Sequence, residues 1–433
     1  MKVLLVGGGG REDALAWALH RSPAVRVLRC APGNAGIARH AEPVPVAAED
    51  VDALTRHALG ERYDLVVVGP EAPLVAGLAD RLSAAGLPVF GPSRGAAEIE
   101  GSKVFAKRFM DRHGIPTARF EVFEDAGRAI RFLGSSDVSY PLVVKADGLA
   151  AGKGVVIAPD RESAAAAASD MLTHGRFGAA GTRIIVEELL RGREASFFVL
   201  CDGRRFVELA TCQDYKRAED EDRGPNTGGM GCYSPSVFLS DALRREILDT
   251  VVGRTVTGLA AEGRPYRGVL YVGVMLTDEG PRVLEYNARF GDPETQALIP
   301  RLDGDWLPAL AACASGSLDG LELRWKRDAT VCVVMASGGY PGAYAKGAPI
   351  EGIREAESLP GVMVFHAGTG PAPDGGYVTA GGRVLGVTAL GDTLAAARDL
   401  AYRAVGAIRW DGAHHRNDIA LDAVKMLEGR ETT

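Results

Sequence analysis

The sequence predicts an α/β protein with an α+β centre, and three observations predict it. Short apolar runs alternate with amphipathic stretches over the first hundred residues. The rhythm breaks near residue 101, where longer strands and glycine-rich hairpins begin, and it returns near residue 329. At 433 residues the chain exceeds one compact domain. The expected division is an N-terminal unit (1–101), a central region (102–325) with a small lid at about 120–190, and an end unit (326–433).

KVLLVG (2–7), VRVLRC (25–30), DLVVVG (64–69) and PVFG (88–91) are apolar runs of strand length, each stopped by a Gly- or Pro-bearing loop. Helical stretches such as EDALAWALHRS lie between them, so a doubly wound, Rossmann-like parallel sheet is expected. Such sheets bind ligands at the carboxyl ends of their strands. Those ends are GGGGRE (7–12), PGNAG (32–36), GPEAP (69–73) and GPS (91–93). In the centre, GSKVFAKRFMDRHG reads as a helix stopped by IPT (115–117), and PLVVKADGLAAGKGVVIA (141–158) as two strands around a Gly-rich loop. A helix (161–173) and the strand TRIIVEELL (182–190) follow, and SFFVLCDGRRFVELA (196–210) reads as a hairpin turned at Asp202-Gly203. A polar, Gly-rich loop is expected over 213–235 and a long helix over 237–262, before the strands GVLYVGVMLT and PRVLEYNA. TVCVVMAS, VMVFHAG and GRVLGVTAL, with a helix at 392–408, predict a small α/β end unit.

Composition narrows the class. Hydrophobic residues at 46% and charged residues at 24% suit a soluble globular protein. A net charge of -7 removes the electrostatic case for a nucleic-acid partner. No apolar run reaches the roughly 20 residues that span a bilayer, and MKVLLVGGGG reads as a first strand rather than a signal peptide. The six cysteines (Cys30, Cys201, Cys212, Cys232, Cys313, Cys332) form no CxxC pair, which favours reduced thiols in the cytoplasm over a metal cluster or disulfide framework.

Three segments carry chemistry. VLLVGGGGRE invites a dinucleotide reading, but that fingerprint wants an acidic residue closing the second strand, and here the strand ends Arg29-Cys30. A phosphate monoester at the following helix N-terminus is favoured over NAD, and a tight turn with no ligand stays open. Lys145, followed at once by GLAAGKGV (148–155), combines close backbone approach with point charges, as phosphates require; a surface hairpin is the plainer alternative. VEELLRGRE (186–194) could be an adenine hinge with Glu194 on the ribose, although alone it reads as an ordinary strand end. In VLEYNARFGDPE (283–294), Glu285 and Asn287 share one strand face and offer the oxygen ligands that Mg²⁺ takes; Arg289 continues that face and suits a phosphate or carboxylate, or an internal Glu–Arg pair. No HExxH, GxSxG or Walker GxxxxGK(S/T) pattern occurs. His414-His415 reads as a solvated loop, and QDYKR with GPNTGGMG (213–231) as a lid or substrate clamp.

The order VGGGGRE, PGNAG, VGPEAPL, GSK, VVKADGLAAGKGV, VEELL, QDYKR, GPNTGGMG and NARFGDPET resembles the ATP-grasp superfamily, and within it the phosphoribosylamine–glycine ligases, from residue 6 to residue 391. The resemblance implies a pre-ATP-grasp N-terminal domain, ATP-grasp domains and a small C-terminal domain. It implies ligation of glycine to 5-phosphoribosylamine at the expense of ATP, through glycyl phosphate, in purine biosynthesis. It places Lys103, Lys145, Gly148, Gly152, Lys153 and Gly154 on ATP phosphates, Glu187, Glu188 and Leu190 at adenine, and Glu194 at ribose. Glu285 and Asn287 are implied as ligands of Mg²⁺ or Mn²⁺. Arg289, Asp292 and Lys145 are implied as catalytic groups. Asp214, Lys216, Asn226, Thr227, Gly228, Gly229 and Arg289 fall on the glycine and acyl phosphate side. Gly9, Gly10, Arg11, Asn34, Gly69, Pro70 and Glu71 fall on the phosphoribosylamine side. A monomeric cytoplasmic enzyme with small-molecule partners is expected.

The sequence departs from the family in three places: Asp13 where histidine is usual, Tyr286 where phenylalanine is common, and HHRNDIA where an aromatic-Arg-x-Asp-Ile-Gly pattern is usual. Asp13 is expected to put negative charge near the phosphate pocket. The rival readings are another ATP-grasp enzyme acting on bicarbonate or formate, a nucleotide-binding regulator without turnover, and an NAD-dependent oxidoreductase.

Overall fold

The structure is a computed structural model that describes residues 1–149, 154–173 and 182–429. Strands β1 (Lys2–Gly7), β2 (Val27–Pro32), β3 (Glu42–Pro43), β4 (Leu65–Val68) and β5 (Val89–Phe90) form a parallel sheet in the order β3-β2-β1-β4-β5. Helices α1 (Gly10–His20), α2 (Val51–Glu61), α3 (Glu71–Val75), α4 (Leu78–Ala84) and α5 (Arg94–Gly101) connect them. Helices on both faces are why β1 and β4 are continuous Val/Leu runs with no exposed face. The strand order reverses beside β1, so the crevice lies at the loops after β1, β2 and β4.

The single helix expected over GSKVFAKRFMDRHG begins two residues later, at Lys103, and Gly101 closes α5. Ser102 is extended, and its hydroxyl accepts the Phe105 N–H, so it caps α6 (Lys103–Arg112) and separates it from α5. An antiparallel sheet follows, in the order β6-β9-β7-β8: β6 (Phe120–Phe123), β7 (Leu142–Ala146), β8 (Val155–Ala158) and β9 (Ile184–Glu188). Helices α7 (Ala126–Leu133) and α8 (Arg161–Thr173) pack on it around Leu133, Val144, Met171 and Ile184, a small core of its own.

A second central sheet starts with β10 (Arg193–Asp202) and β11 (Phe206–Glu208), turned at Asp202-Gly203 as expected, with Gly203 at φ +98°. The expected loop over 213–235 contains four strands: β12 (Gln213–Asp214), β13 (Arg217–Glu219), β14 (Arg223–Asn226) and β15 (Gly231–Ser234). They are two to four residues long; β12 pairs with β15, and β15 pairs with a strand a hundred residues away, which no local pattern reveals. The long helix expected at 237–262 starts at α9 (Asp241–Ile247), after the Ser240 cap, and continues through a π turn at Leu248–Val252 into α10 (Gly253–Ala261). Strands β16 (Arg267–Thr277) and β17 (Gly280–Asn287) complete the sheet in the order β11-β10-β16-β17, and α11 (Glu294–Leu298) and α12 (Trp306–Ser315) follow.

The last sheet contains β18 (Ala329–Ser337) and runs β12-β15-β18-β23-β20, so β12 and β15 extend it. A three-stranded sheet of β19 (Pro349–Ile350), β21 (Thr369–Pro371) and β22 (Tyr377–Thr379) sits beside it, with α13 (Ile353–Glu357) and β20 (Val362–His366). Strand β23 (Arg383–Gly391), α14 (Leu394–Ala407), β24 (Ala413–His414) and α15 (Leu421–Leu427) end the chain, with α14 packed across β18 and β23. Ala420, where the family pattern has glycine, adopts φ +63°, a left-handed conformation that costs an alanine about 1 kcal/mol. Its N–H donates to the Tyr215 hydroxyl at 3.0 Å. All six cysteines are buried free thiols, and no helix among the described residues is long and apolar enough to cross a membrane.

Candidate active site

Strand β17 sets the floor of the cleft. Its pleat turns Glu285 and Asn287 to one side, opposite Gly273 and Tyr271 on β16. Asn287 is 9% exposed, and its side chain makes no hydrogen bond among the described residues. Glu285 has 44% of its side chain exposed and lies 3.9 Å from Lys216 Nζ. Burial would raise its carboxyl, but Lys216, Lys145, Lys103 and Arg289 outweigh that and hold it below the ordinary 4.5. An amide with no hydrogen bond among the described residues, beside an ionised carboxylate, is a pair that suits a hard divalent cation. Among the described residues no group of three or more His, Cys, Asp or Glu could hold a metal, so substrate oxygens would complete the coordination.

The lysines converge from three elements. Lys103, first residue of α6, donates from Nζ to the Gly148 carbonyl at 2.8 Å. Asp147 staples the same corner: Oδ1 accepts Ser102 Oγ at 3.0 Å, the Val104 N–H at 3.1 Å and the Gly148 N–H at 2.9 Å, while Oδ2 lies 2.6 Å from Arg183. Gly148 takes φ +80°, and the Gly154 carbonyl accepts the Ala146 N–H. Gly152 and Lys153 lie outside the described residues. Lys145 on β7 pairs with Glu187 on β9. Glu187 was expected at adenine, but its side chain is 3% exposed and locked between Lys145 and Lys107. Glu188 is committed to Arg119, which binds it through backbone N–H and Nε at 2.9 Å each. The backbone groups of Leu189 and Leu190 make no hydrogen bond among the described residues.

The 213–231 segment closes the other side. Lys216 pairs with Glu194, and burial pushes Asp214 well above the usual carboxylate range, against the opposing Lys216 charge. Thr227 donates to the Lys216 carbonyl through N–H (2.7 Å) and Oγ1 (2.8 Å), and Gly229 donates to Thr227 Oγ1 at 3.0 Å. Gly229 takes φ +112°, and a Cβ there would lie 2.4 Å from Pro293, so this turn excludes other residues. Gly228 donates to the Tyr340 hydroxyl at 3.1 Å and accepts from Arg383 Nη1 at 2.7 Å. Asn226 is exposed on β14.

Several residues expected on the phosphoribosylamine side are already committed to protein. The Gly9 N–H donates to Glu12 Oε2 at 2.7 Å, and the Arg11 N–H to Asp292 Oδ2 at 3.2 Å. The N-terminus of α1 is therefore filled by carboxylates and is not the open anion site expected. Arg11 is buried, with Nε 2.5 Å from Glu12 Oε1 and Nη1 donating to the Phe290 carbonyl. A Cβ on Gly10 or Gly69 would strike Gln296 or Glu12, so both glycines serve close packing. The Asn34 side chain donates to the Gly8, His366 and Ala367 carbonyls and accepts from Gly36 and Ile37; it has no capacity left for a substrate. Asp292 is likewise held by Gln296 at 2.9 Å and Arg383 at 3.4 Å. Arg289 lies between Glu71 (3.1 Å) and Glu100 (3.0 Å), the internal Glu–Arg arrangement. Pro70, the cap residue of α3, brings Glu71 to that pair. Asp13 does not face the pocket: Oδ2 accepts the His366 N–H at 2.6 Å, joining α1 to β20. His414 bonds the Ala218 carbonyl at 2.7 Å.

Sequence reasoning missed Lys107, Asp147, Glu100 and Arg383. Lys107 lies four residues after Lys103 on α6, a same-face spacing that could have flagged it. Arg383 reaches the site only through folding of the end unit, and nothing local marks it.

The fold, with its two central antiparallel-strand sheets between an N-terminal parallel sheet and an end unit, is that of an ATP-grasp protein. A biotin carboxylase domain of Hydrogenobacter thermophilus 2-oxoglutarate carboxylase superposes with a TM-score of 0.75 over 100% of this chain and 96% of that one; at 16% identity the likeness shows the fold alone. Residues 1–100, 101–295 and 330–422 match the N domain, ATP-grasp (A) domain and C domain of phosphoribosylglycinamide synthetase. The Caulobacter vibrioides phosphoribosylamine–glycine ligase is 52% identical over 98% of this chain and 99% of its own length. The crystal structure of the Thermotoga maritima phosphoribosylamine–glycine ligase has a TM-score of 0.85 at 34% identity, covering 97% of this chain and 100% of that one. The chain belongs to the phosphoribosylamine–glycine ligase family.

Proposed function

We propose that the protein joins glycine to 5-phosphoribosylamine, converting ATP to ADP and phosphate, as a cytoplasmic, monomeric enzyme of purine biosynthesis. The observation that carries this reading is the cleft itself. Lys103 and Lys145 lie near enough to Glu285 to lower its carboxyl, so phosphate-binding cations stand beside the Glu285/Asn287 donor pair. The Leu189-Leu190 backbone, which makes no hydrogen bond among the described residues, is the edge that adenine would take. Full-length likeness to ligases of that name supplies the substrates. Magnesium, or manganese, bound at Glu285 and Asn287 would neutralise charge on the transferring phosphoryl group.

A carboxylate is a poor electrophile. A glycine carboxylate oxygen attacks the γ-phosphorus and ADP leaves, giving glycyl phosphate. The amine of phosphoribosylamine then attacks the acyl carbon, phosphate departs with that oxygen, and the amine gives up a proton. Lys103 and Lys145 hold the phosphates, and the Thr227–Gly229 turn and Lys216 bound the place where glycine would lie. Positioning of this kind supplies roughly 7–11 kcal/mol of barrier lowering. With carboxylate-labelled [¹⁸O]glycine, one label appears in the released phosphate. Unlabelled phosphate would overturn the acyl phosphate route.

A further inference from the structure

Lys145 does not stand alone. Glu187 on β9 lies between Lys145 of β7 and Lys107 of α6, with Lys107 Nζ 2.6 Å from Oε2. All three are at least nine-tenths buried. Lys107 Nζ also donates to Thr117 Oγ1 at 2.7 Å, and that hydroxyl donates to the Val283 carbonyl at 2.7 Å. The Val283 N–H returns to the Pro116 carbonyl at 2.8 Å. Val283 stands two residues before Glu285 on β17. A continuous polar path thus runs from Lys145, across the 115–119 connection, to the strand that bears the metal-ligand pair.

The charge count is the second observation. Two lysines share one carboxylate, so the buried trio carries one net positive charge. Burying an unbalanced charge is costly unless a counter-charge arrives. The lysines divide the carboxylate unequally. Burial draws Lys107 below its ordinary value, whereas for Lys145 burial is outweighed by the charge and hydrogen bond of Glu187 together with the charges of Glu285 and Glu194, which raise it.

We propose that Lys107 is a positioning residue for nucleotide phosphates: it never reaches them, but by sharing Glu187 it leaves the Lys145 charge unspent. Without Lys107, Glu187 would neutralise Lys145 completely, and the cleft would lose its attraction for phosphate while keeping its adenine edge. The proposal rests on the reading that Lys145 meets the ATP phosphates.

The test is calorimetric binding of ATP and of adenosine to the full chain carrying single and paired substitutions. Lys107→Met should weaken ATP about tenfold, while adenosine stays within about twofold, because only the charged ligand feels the lost cation. Lys107→Arg should restore ATP affinity. The pair Lys107→Met with Glu187→Gln returns the net charge to one and should also restore it. Equal losses for ATP and adenosine, or a double variant as weak as Lys107→Met, would overturn the proposal. If Lys107→Met does not fold by circular dichroism, the double variant decides alone: near-native ATP affinity supports the proposal, a tenfold loss overturns it. Lys145→Met separates the two readings, since undiminished ATP affinity there would remove Lys145 from the phosphates whatever Lys107 does.

Discussion

At the scale of single residues, chemistry and architecture compete for the same side chains. The expectation for Glu285 and Asn287 rests on two oxygen-bearing side chains on one face of an apolar strand, and the structure leaves both without a hydrogen bond among the described residues. Asn34 and Arg11 read equally well as ligand groups, yet each is spent on distant segments, at Ala367 and Phe290. No local pattern separates a loop asparagine that binds a substrate from one that binds a neighbouring domain. Glu187 shows the same limit: its partner Lys107 lies eighty positions earlier. Glu285→Gln keeps the shape and removes the charge. Turnover should fall by about a hundredfold or more while the thermal unfolding midpoint stays put. Near-native activity at saturating magnesium would remove the metal assignment.

At the scale of elements, alternation and glycine punctuation were enough to place four of the five parallel strands (all but the two-residue β3), the 161–173 helix and the 196–210 hairpin. They failed for β12 to β15, whose short strands exist because β18 and each other's edges receive them. The joint between α6 and the Gly-rich loop depends on Asp147, an acidic residue whose role appears only when Ser102, Val104 and Arg183 fold around it. Asp147→Ala strands a buried hydroxyl and a helix N–H, and should cost about 2–3 kcal/mol in urea unfolding. It should also raise the KM for ATP more than that for glycine, since the loop base is what it holds. Equal changes in both would separate this joint from nucleotide binding.

At the scale of the whole molecule, the first and last units are tied through Asp13, which bonds β20 and lies 3.5 Å from Arg39. Burial pushes its carboxyl up to about 7 from 3.8, with Arg39 opposing. The raised value sets the sign. Below its unfolded value the group is protonated in both states; as pH climbs towards 7 the unfolded chain gives up a proton that the folded chain keeps, and stability falls. Asp13→Asn removes that slope, so the variant should gain on the native protein in urea unfolding between about pH 4 and about pH 7. A constant difference across that range would show that Asp13 is ionised in the fold.

The central claim is that the cleft couples ATP cleavage to one acid and one amine. It is tested most directly by ADP release from the purified protein with Mg-ATP, glycine, and phosphoribosylamine formed in place from ribose 5-phosphate and ammonia, each component omitted in turn. Release that requires glycine and the ribosylamine together is the expected result. Release with neither, or only with a different acid, would contradict it.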